Sequence, residues 1–107
     1  AGGQIHIIDL HGTSEIGCRV CLLSWLRYLR THKDVLAAAD VTVMRVITGW
    51  GKHSESGVSK VRMAVNKMLA EGLEYHLPFH TPEGNPGMFH VHKDDMLQWL
   101  ERFDTPE

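Results

Sequence analysis

Two short stretches carry residue types that could do chemistry. The first, Asp9-Leu10-His11-Gly12, sets a carboxylate two positions before an imidazole. On an extended strand that spacing projects both side chains the same way, so the carboxylate can orient the imidazole for proton transfer. The second, Thr48-Gly49-Trp50-Gly51-Lys52-His53-Ser54, ends a run of β-branched and apolar residues that begins at Val41. Read as a strand feeding a glycine-rich turn and then a helix, it presents backbone N–H groups and the positive end of a helix dipole, which suits a phosphate oxygen. Lys52 and His53 add cationic or proton-transfer capacity at the same spot. The stretch is neither a Walker loop, which needs Ser or Thr after the lysine, nor a dinucleotide fingerprint, which needs glycine where Ser54 stands. A plainer reading stands beside each motif. Asp9 could satisfy backbone donors while His11 packs on the glycine turn, and the glycines of the second stretch could serve turn geometry alone.

The elements that must position these residues fit a chain of 107 residues, 43% hydrophobic and 22% charged, which is enough for one domain with a single two-layer core. The chain opens Ala1-Gly2-Gly3 without a methionine, and the expectation is a domain cut from a longer protein. No apolar run approaches a membrane span and no targeting segment opens the sequence. A net charge of −2 and a pI near 6.5 exclude a surface that is basic all over, so a polyanion would be held at a local patch. Cys18 and Cys21 form a C-x-x-C inside a helical pattern, with no second pair. Reduced thiols in an intracellular compartment are expected, rather than a disulfide or zinc.

Gln4–His11 reads as the first strand, with Ile5, Ile7, Asp9 and His11 on one face. Thr13 or Ser14 then caps a helix to about His32 or Lys33, with Ile16, Val20, Leu22, Leu23, Trp25, Leu26 and Leu29 as a wide inward stripe. Residues 34–40 make the crossover to a second strand, Val41–Thr48, which implies a right-handed parallel unit. A second helix runs from about Ser56 to Glu71, with Val58, Val61, Val65, Met68 and Leu69 inward and Gly72 as its stop. Leu73–His80 and Met88–His92 read as a third and a fourth strand joined as a hairpin, and Asp94 caps a closing helix to about Phe103. His76 with His80, and His90 with His92, share strand faces. No carboxylate or cysteine accompanies either pair, so surface or packing roles are expected rather than a metal site.

Both motifs fall at the carboxyl ends of the first two strands, and therefore on one sheet edge, where open α/β sheets bind ligands. D-L-H-G followed by T-G-W-G-K-H-S resembles the paired signature of Smr domains, the small MutS-related module. The likeness covers nearly the whole chain, and the T-G-W-G-K-H-S form looks like the Smr domains at the C-termini of plant pentatricopeptide-repeat proteins. One departure is G-N-P-G-M-F-H-V and an added helix, where many members have a glycine-rich turn and a V-x-L strand. The resemblance implies a two-layer α/β sandwich with a βαβαββ core like the C-terminal domain of bacterial translation initiation factor 3, extended here by a C-terminal helix. It also implies nucleic-acid binding, commonly with DNA-nicking or RNA endonuclease activity. The motif positions would be Asp9, Leu10, His11 and Gly12, with Thr48, Gly49, Gly51, His53 and Ser54; Leu10 is expected to pack. A plastid or mitochondrial parent would follow from the plant-like form, with its repeat tract selecting the sequence.

For phosphodiester cleavage these residues divide into two sets. Asp9, His11 and His53 would be catalytic. Gly12, Thr48, Gly49, Trp50, Gly51, Lys52, Ser54, Lys60 and Arg62 would hold the nucleic acid. A two-metal site wants several convergent carboxylates, so histidine chemistry or a single Mg²⁺ is expected, with no dedicated metal ligands. If the ribose 2′-hydroxyl is the nucleophile, RNA alone would be cut. A monomer acting on RNA or DNA is expected. The rival class is a non-catalytic RNA-binding module, in which an exposed Trp50 would stack on a base and a buried one would brace the turn. A third, a protein-interaction domain, has no sequence feature of its own.

Overall fold

The computed structural model describes residues 4–49 and 59–103. Among these, three strands and four α-helices follow in the order β1 (Ile7–Asp9), α1 (Glu15–Thr31), α2 (Lys33–Ala38), β2 (Val43–Ile47), α3 (Lys60–Lys67), β3 (Met88–His92) and α4 (Lys93–Glu101). The sheet runs β1-β2-β3. β1 and β2 are parallel, with Ile7 opposite Arg45 and Asp9 opposite Ile47. β3 returns antiparallel to β2, with Arg45 opposite His90 and Ile47 opposite Met88. The parallel pair joined through a helical crossover is the unit that the sequence implied.

The first strand is shorter than the expected span of residues 4–11. At its start Ile7 N–H donates to the Gln4 carbonyl at 3.1 Å, closing a turn instead of a ladder. At its end the Asp9 carboxylate takes the His11 N–H, so the chain bends away from the sheet. Ser14 then caps α1, its hydroxyl accepting from Gly17 N–H at 2.9 Å, and Glu15 sits in the first turn where the dipole favours it. At the far end His32 is the cap residue and stacks on Tyr28.

The inward face of α1 is narrower than expected and rotated. Cys18, Leu22, Leu26 and Leu29 are buried, while Ile16, Val20 and Leu23 are exposed. Seven apolar residues on one helix cover more arc than a single sheet can bury. Cys18, which packs as a small hydrophobe, fixes the register of the buried line. The residues 34–40 expected as a plain crossover hold α2, which buries Leu36.

α3 begins at Lys60 with Ser59 as its cap and buries Val61 and Val65 as expected; Val58 lies outside the described residues. It widens into a π-helical turn, Met68–Gly72, which turns Met68 and Leu69 into the core before Gly72 ends it. α4 starts at Lys93 with His92 as its cap residue, two positions before the expected cap Asp94.

The expected third strand, residues 73–80, forms no ladder beyond a single bridge between His80 and His90. Pro78 has no N–H to give, and the Tyr75 carbonyl is taken by the Trp99 indole at 2.8 Å. Met44, Val46, Phe89 and Val91 project from the sheet into one core with Leu22, Leu36, Val65, Leu69, Met96 and Leu100. The alternate residues Ile7, Val43, Arg45, Ile47, Met88, His90 and His92 stay half-buried or exposed on the other face. No described helix is long and apolar enough to cross a membrane.

The rotated face of α1 can be checked by urea unfolding. Leu22→Ala should cost about 3 kcal/mol, and Val20→Ala should stay within about 0.5 kcal/mol. Equal losses would mean that the helix buries the other line.

Candidate functional site

The D-L-H-G motif folds on itself. Leu10 is buried, and its N–H donates to the Ile47 carbonyl at 2.8 Å, carrying the parallel pairing one residue past β1. Asp9 and His11 flank it on the solvent side. Asp9 Oδ1 lies 2.6 Å from His11 Nδ1 and also accepts the His11 backbone N–H at 3.1 Å. Partial burial raises the Asp9 pKa, but the two hydrogen bonds from His11 and its charge prevail, so the carboxyl titrates below its ordinary value. An ionised carboxylate can only accept, so Nδ1 must carry the proton. That leaves Nε2 as the ring atom available to a substrate, on a side chain that is 69% exposed.

Past His11 the chain reverses at Gly12, whose φ of +78° is a left-handed conformation that a side chain disfavours. Thr13 pins the reversal, its hydroxyl donating to the Leu10 carbonyl at 2.7 Å. The second motif meets the first here. Gly49 has φ +84°, and a Cβ built on it would lie 3.3 Å from the His11 Cβ. Glycine at position 49 thus gives both the turn and the room in which His11 sits.

The residues expected to grip phosphate are divided by the structure. Thr48 is buried, and both Thr48 N–H and Gly49 N–H donate to the Gly87 carbonyl, at 2.8 and 3.0 Å. Those amides fasten the end of β2 to the turn before β3 instead of pointing at a ligand. Gly87 is a part of the site that the sequence reading missed, because a backbone carbonyl has no sequence signature. Arg62 has a similar bracing task. Its guanidinium donates to the carbonyls of Pro86 and Met88 and to the Thr81 hydroxyl, and lies 4.2 Å from the Phe89 ring centroid. Burial draws its pKa below the ordinary arginine value. Lys60, in the first turn of α3, is exposed. Trp50, Gly51, Lys52, His53 and Ser54 lie outside the described residues.

Among the described residues, no three His, Cys, Asp or Glu side chains converge as metal ligands. Cys18 is buried and Cys21 exposed, and both are free thiols; burial pushes the Cys18 thiol up. An apolar cleft of about 250 Å³ lies between α1, residues 72–74 and α4, lined by Leu23, Leu26, Leu73, Trp99 and Phe103. None of its lining residues belongs to either motif. Phosphodiester chemistry needs polar groups at an accessible edge, so the Asp9–His11 edge, not this cleft, is the candidate site.

A two-layer α/β domain whose paired parallel strands end in D-L-H-G and T-G, drawn together on one edge, has the architecture of an Smr domain. The solved structure of the SMR domain of NEDD4-binding protein 2 is similar to it over 86% of this chain and 88% of that one, at 29% identity and a TM-score of 0.52. No protein-family model and no curated protein matches. Fold, motif and structural likeness agree, and an Smr-type domain fits the chain.

Three outcomes follow from this geometry. Gly49→Ala, strained by its φ and pressed on His11, should cost about 1–3 kcal/mol in urea unfolding. Arg62→Lys should lose about 2 kcal/mol, because an ammonium cannot reproduce the forked contacts to Thr81 and the two carbonyls. The Asp9 carboxyl, followed by carbon NMR, should titrate below 3.8. Because its folded pKa is depressed, the stability it lends is full above the unfolded-state pKa and disappears as pH falls through the folded value. Asp9→Asn should remove that segment of the acid-unfolding curve.

Proposed function

We propose that this domain is a nucleic-acid endonuclease that cleaves RNA phosphodiester bonds at the Asp9–His11 edge. An Smr domain is a nucleic-acid-binding or endonuclease-type module. The observation that supports chemistry over grip alone is the 2.6 Å contact between Asp9 and His11. A phosphate grip needs cations and amides, and an ionised carboxylate would oppose the approach of an anion. A carboxylate that fixes the tautomer of an imidazole is useful when that imidazole moves a proton.

In this reading His11 Nε2 takes the proton of the attacking hydroxyl, which is the ribose 2′-hydroxyl or a water. Asp9 orients the ring and stabilises the imidazolium that forms. His53 returns a proton to the leaving oxygen, while Lys52 and the amides around Gly51 hold the phosphate. A single Mg²⁺ fits only with Asp9 as its protein ligand and substrate phosphate oxygens for the rest, the manner in which Mg²⁺ is commonly held. Bound there, it would neutralise phosphoryl charge. A plant pentatricopeptide-repeat parent, plastid or mitochondrial, would supply the sequence selection.

The openness of the edge favours a second reading. With the His11 side chain 69% exposed and that of Asp9 48%, little excludes water. A non-catalytic RNA-binding module would have the same surface.

End-labelled single-stranded RNA and matched DNA, incubated with Mg²⁺ and with EDTA, separate the two. Wild type should cut RNA. His11→Ala should bind equally but cut about 10²–10⁴-fold more slowly, and Lys52→Ala/His53→Ala should lose both. Binding without cleavage by wild type, reduced only in the loop variant, would leave the binding module and remove the catalytic roles.

A further inference from the structure

The open face of the sheet carries a cluster that the proposed chemistry does not use. His80 lies with its ring centroid 5.4 Å from that of His90 and 5.4 Å from that of His92, edge-on to the first and tilted to the second. Arg45, exposed on β2, stands directly across from His90. The bridge that brings His80 there is closed by two backbone hydrogen bonds with His90, at 3.0 and 2.7 Å. Three imidazoles and a guanidinium thus share one surface, floored by the half-buried Val43, Ile47 and Met88.

This surface is continuous with the candidate site. Ile47 pairs with Asp9 on one side and Met88 on the other; two residues further along come Arg45 and His90, and two more bring Val43 and His92. A strand rises about 3.3 Å per residue, so the path from the Asp9 edge to His92 is about 13 Å long. Apolar floor, flat rings and cations in file are what a single-stranded nucleic acid uses, bases on the rings and phosphates on the cations.

We propose that Arg45, His80, His90 and His92 form a second binding surface for single-stranded nucleic acid, which receives the stretch of strand leading away from the Asp9–His11 edge and takes up protons as it binds. The proposal rests on the nucleic-acid reading of the domain but not on its being an enzyme.

The groups facing His90 are His80 from the bridge segment, Arg45 from β2 and His92 on its own strand. Burial, followed by His80, Arg45 and His92, holds the His90 pKa below its ordinary value. Its charged form is disfavoured while the surface is empty, and a polyanion reverses the sign of that neighbourhood. Linkage then requires affinity to rise as pH falls.

The test is binding of a short fluorescein-labelled 2′-O-methyl single-stranded RNA, which resists cleavage, by anisotropy at about pH 6 and about pH 8 over a salt series. Wild-type affinity should rise about tenfold at the lower pH. His80→Gln/His90→Gln/His92→Gln should reduce that ratio to about threefold or less, what remains coming from other histidines. Arg45→Ala, an independent exposed substitution, should lower the salt slope by about 0.7 at both pH values, one phosphate contact on a single strand. If both variants keep the wild-type affinity, pH ratio and slope while the loop variant Lys52→Ala/His53→Ala loses binding, the second surface is overturned and the nucleic-acid reading survives. If wild type binds no RNA, both fall. The imidazole-dependent pH response on this probe, with unmodified RNA left uncut in the cleavage assay, supports the surface and removes only the endonuclease.

Discussion

The parallel pairing of β1 with β2 is the constraint on which the rest depends. β1 contributes three residues, Ile7 to Asp9, and Leu10 adds a last hydrogen bond to Ile47. That short registry decides that Asp9 stands opposite Ile47, so His11 falls beside Gly49. A shift of one residue would turn Asp9 into the core and Leu10 to solvent, because strand side chains alternate. Burial of Leu10 between two polar residues is therefore what aims the Asp9–His11 pair outward. The core holds the register, and the register makes the site.

Around that pair backbone carbonyls hold the chain in place. Gly87 holds Thr48 and Gly49, Leu10 holds Thr13, and Ile5 receives the Trp25 indole at 3.2 Å. The first two contacts tie irregular segments to one another, and the third ties the turn before β1 to α1. Main-chain bonds of this kind fix position without adding charge, which leaves the electrostatics of the edge to Asp9, His11 and whatever binds there. The Asp9 carboxylate is held ionised by its own neighbour. The dyad is thus complete within one three-residue step of chain.

Much of this was legible in the sequence, and the parts that were not have physical reasons. The period-two spacing of Asp9 and His11, the Ser14 cap and the apolar line Val61–Val65–Leu69 are local patterns, and local patterns survive folding. The buried face of α1 was misread because seven apolar residues gave no unique line, and Cys18 rather than Ile16 set it. The strand expected over residues 73–80 has alternating apolar residues, Leu73, Tyr75 and Leu77. Its partners turned out to be an indole and a single bridge, and no pattern within the segment announces them. Arg62 was read as a phosphate ligand from its place near a helix start. Its real neighbours, Thr81, Pro86, Met88 and Phe89, come from chain distant in sequence.

The Arg62 brace bears on how such a domain can vary. Two of its partners are carbonyl oxygens, of Pro86 in the turn and of Met88 at the start of β3, and every residue type has one. Through these two contacts the guanidinium holds the path of the chain whatever side chains they carry, while the Thr81 hydroxyl and the Phe89 ring are the side chains it does depend on. This is the segment where the sequence departs from the usual Smr pattern. The side chain of Pro86 can change without moving the Gly87 carbonyl that fastens the motif edge, whereas the Asn85 side-chain oxygen, which accepts the Gly87 N–H at 3.1 Å, and the number of residues both bear on where that carbonyl sits. The turn is fixed in length and, at Gly84 with its φ of +78° and at Asn85, in residue type as well.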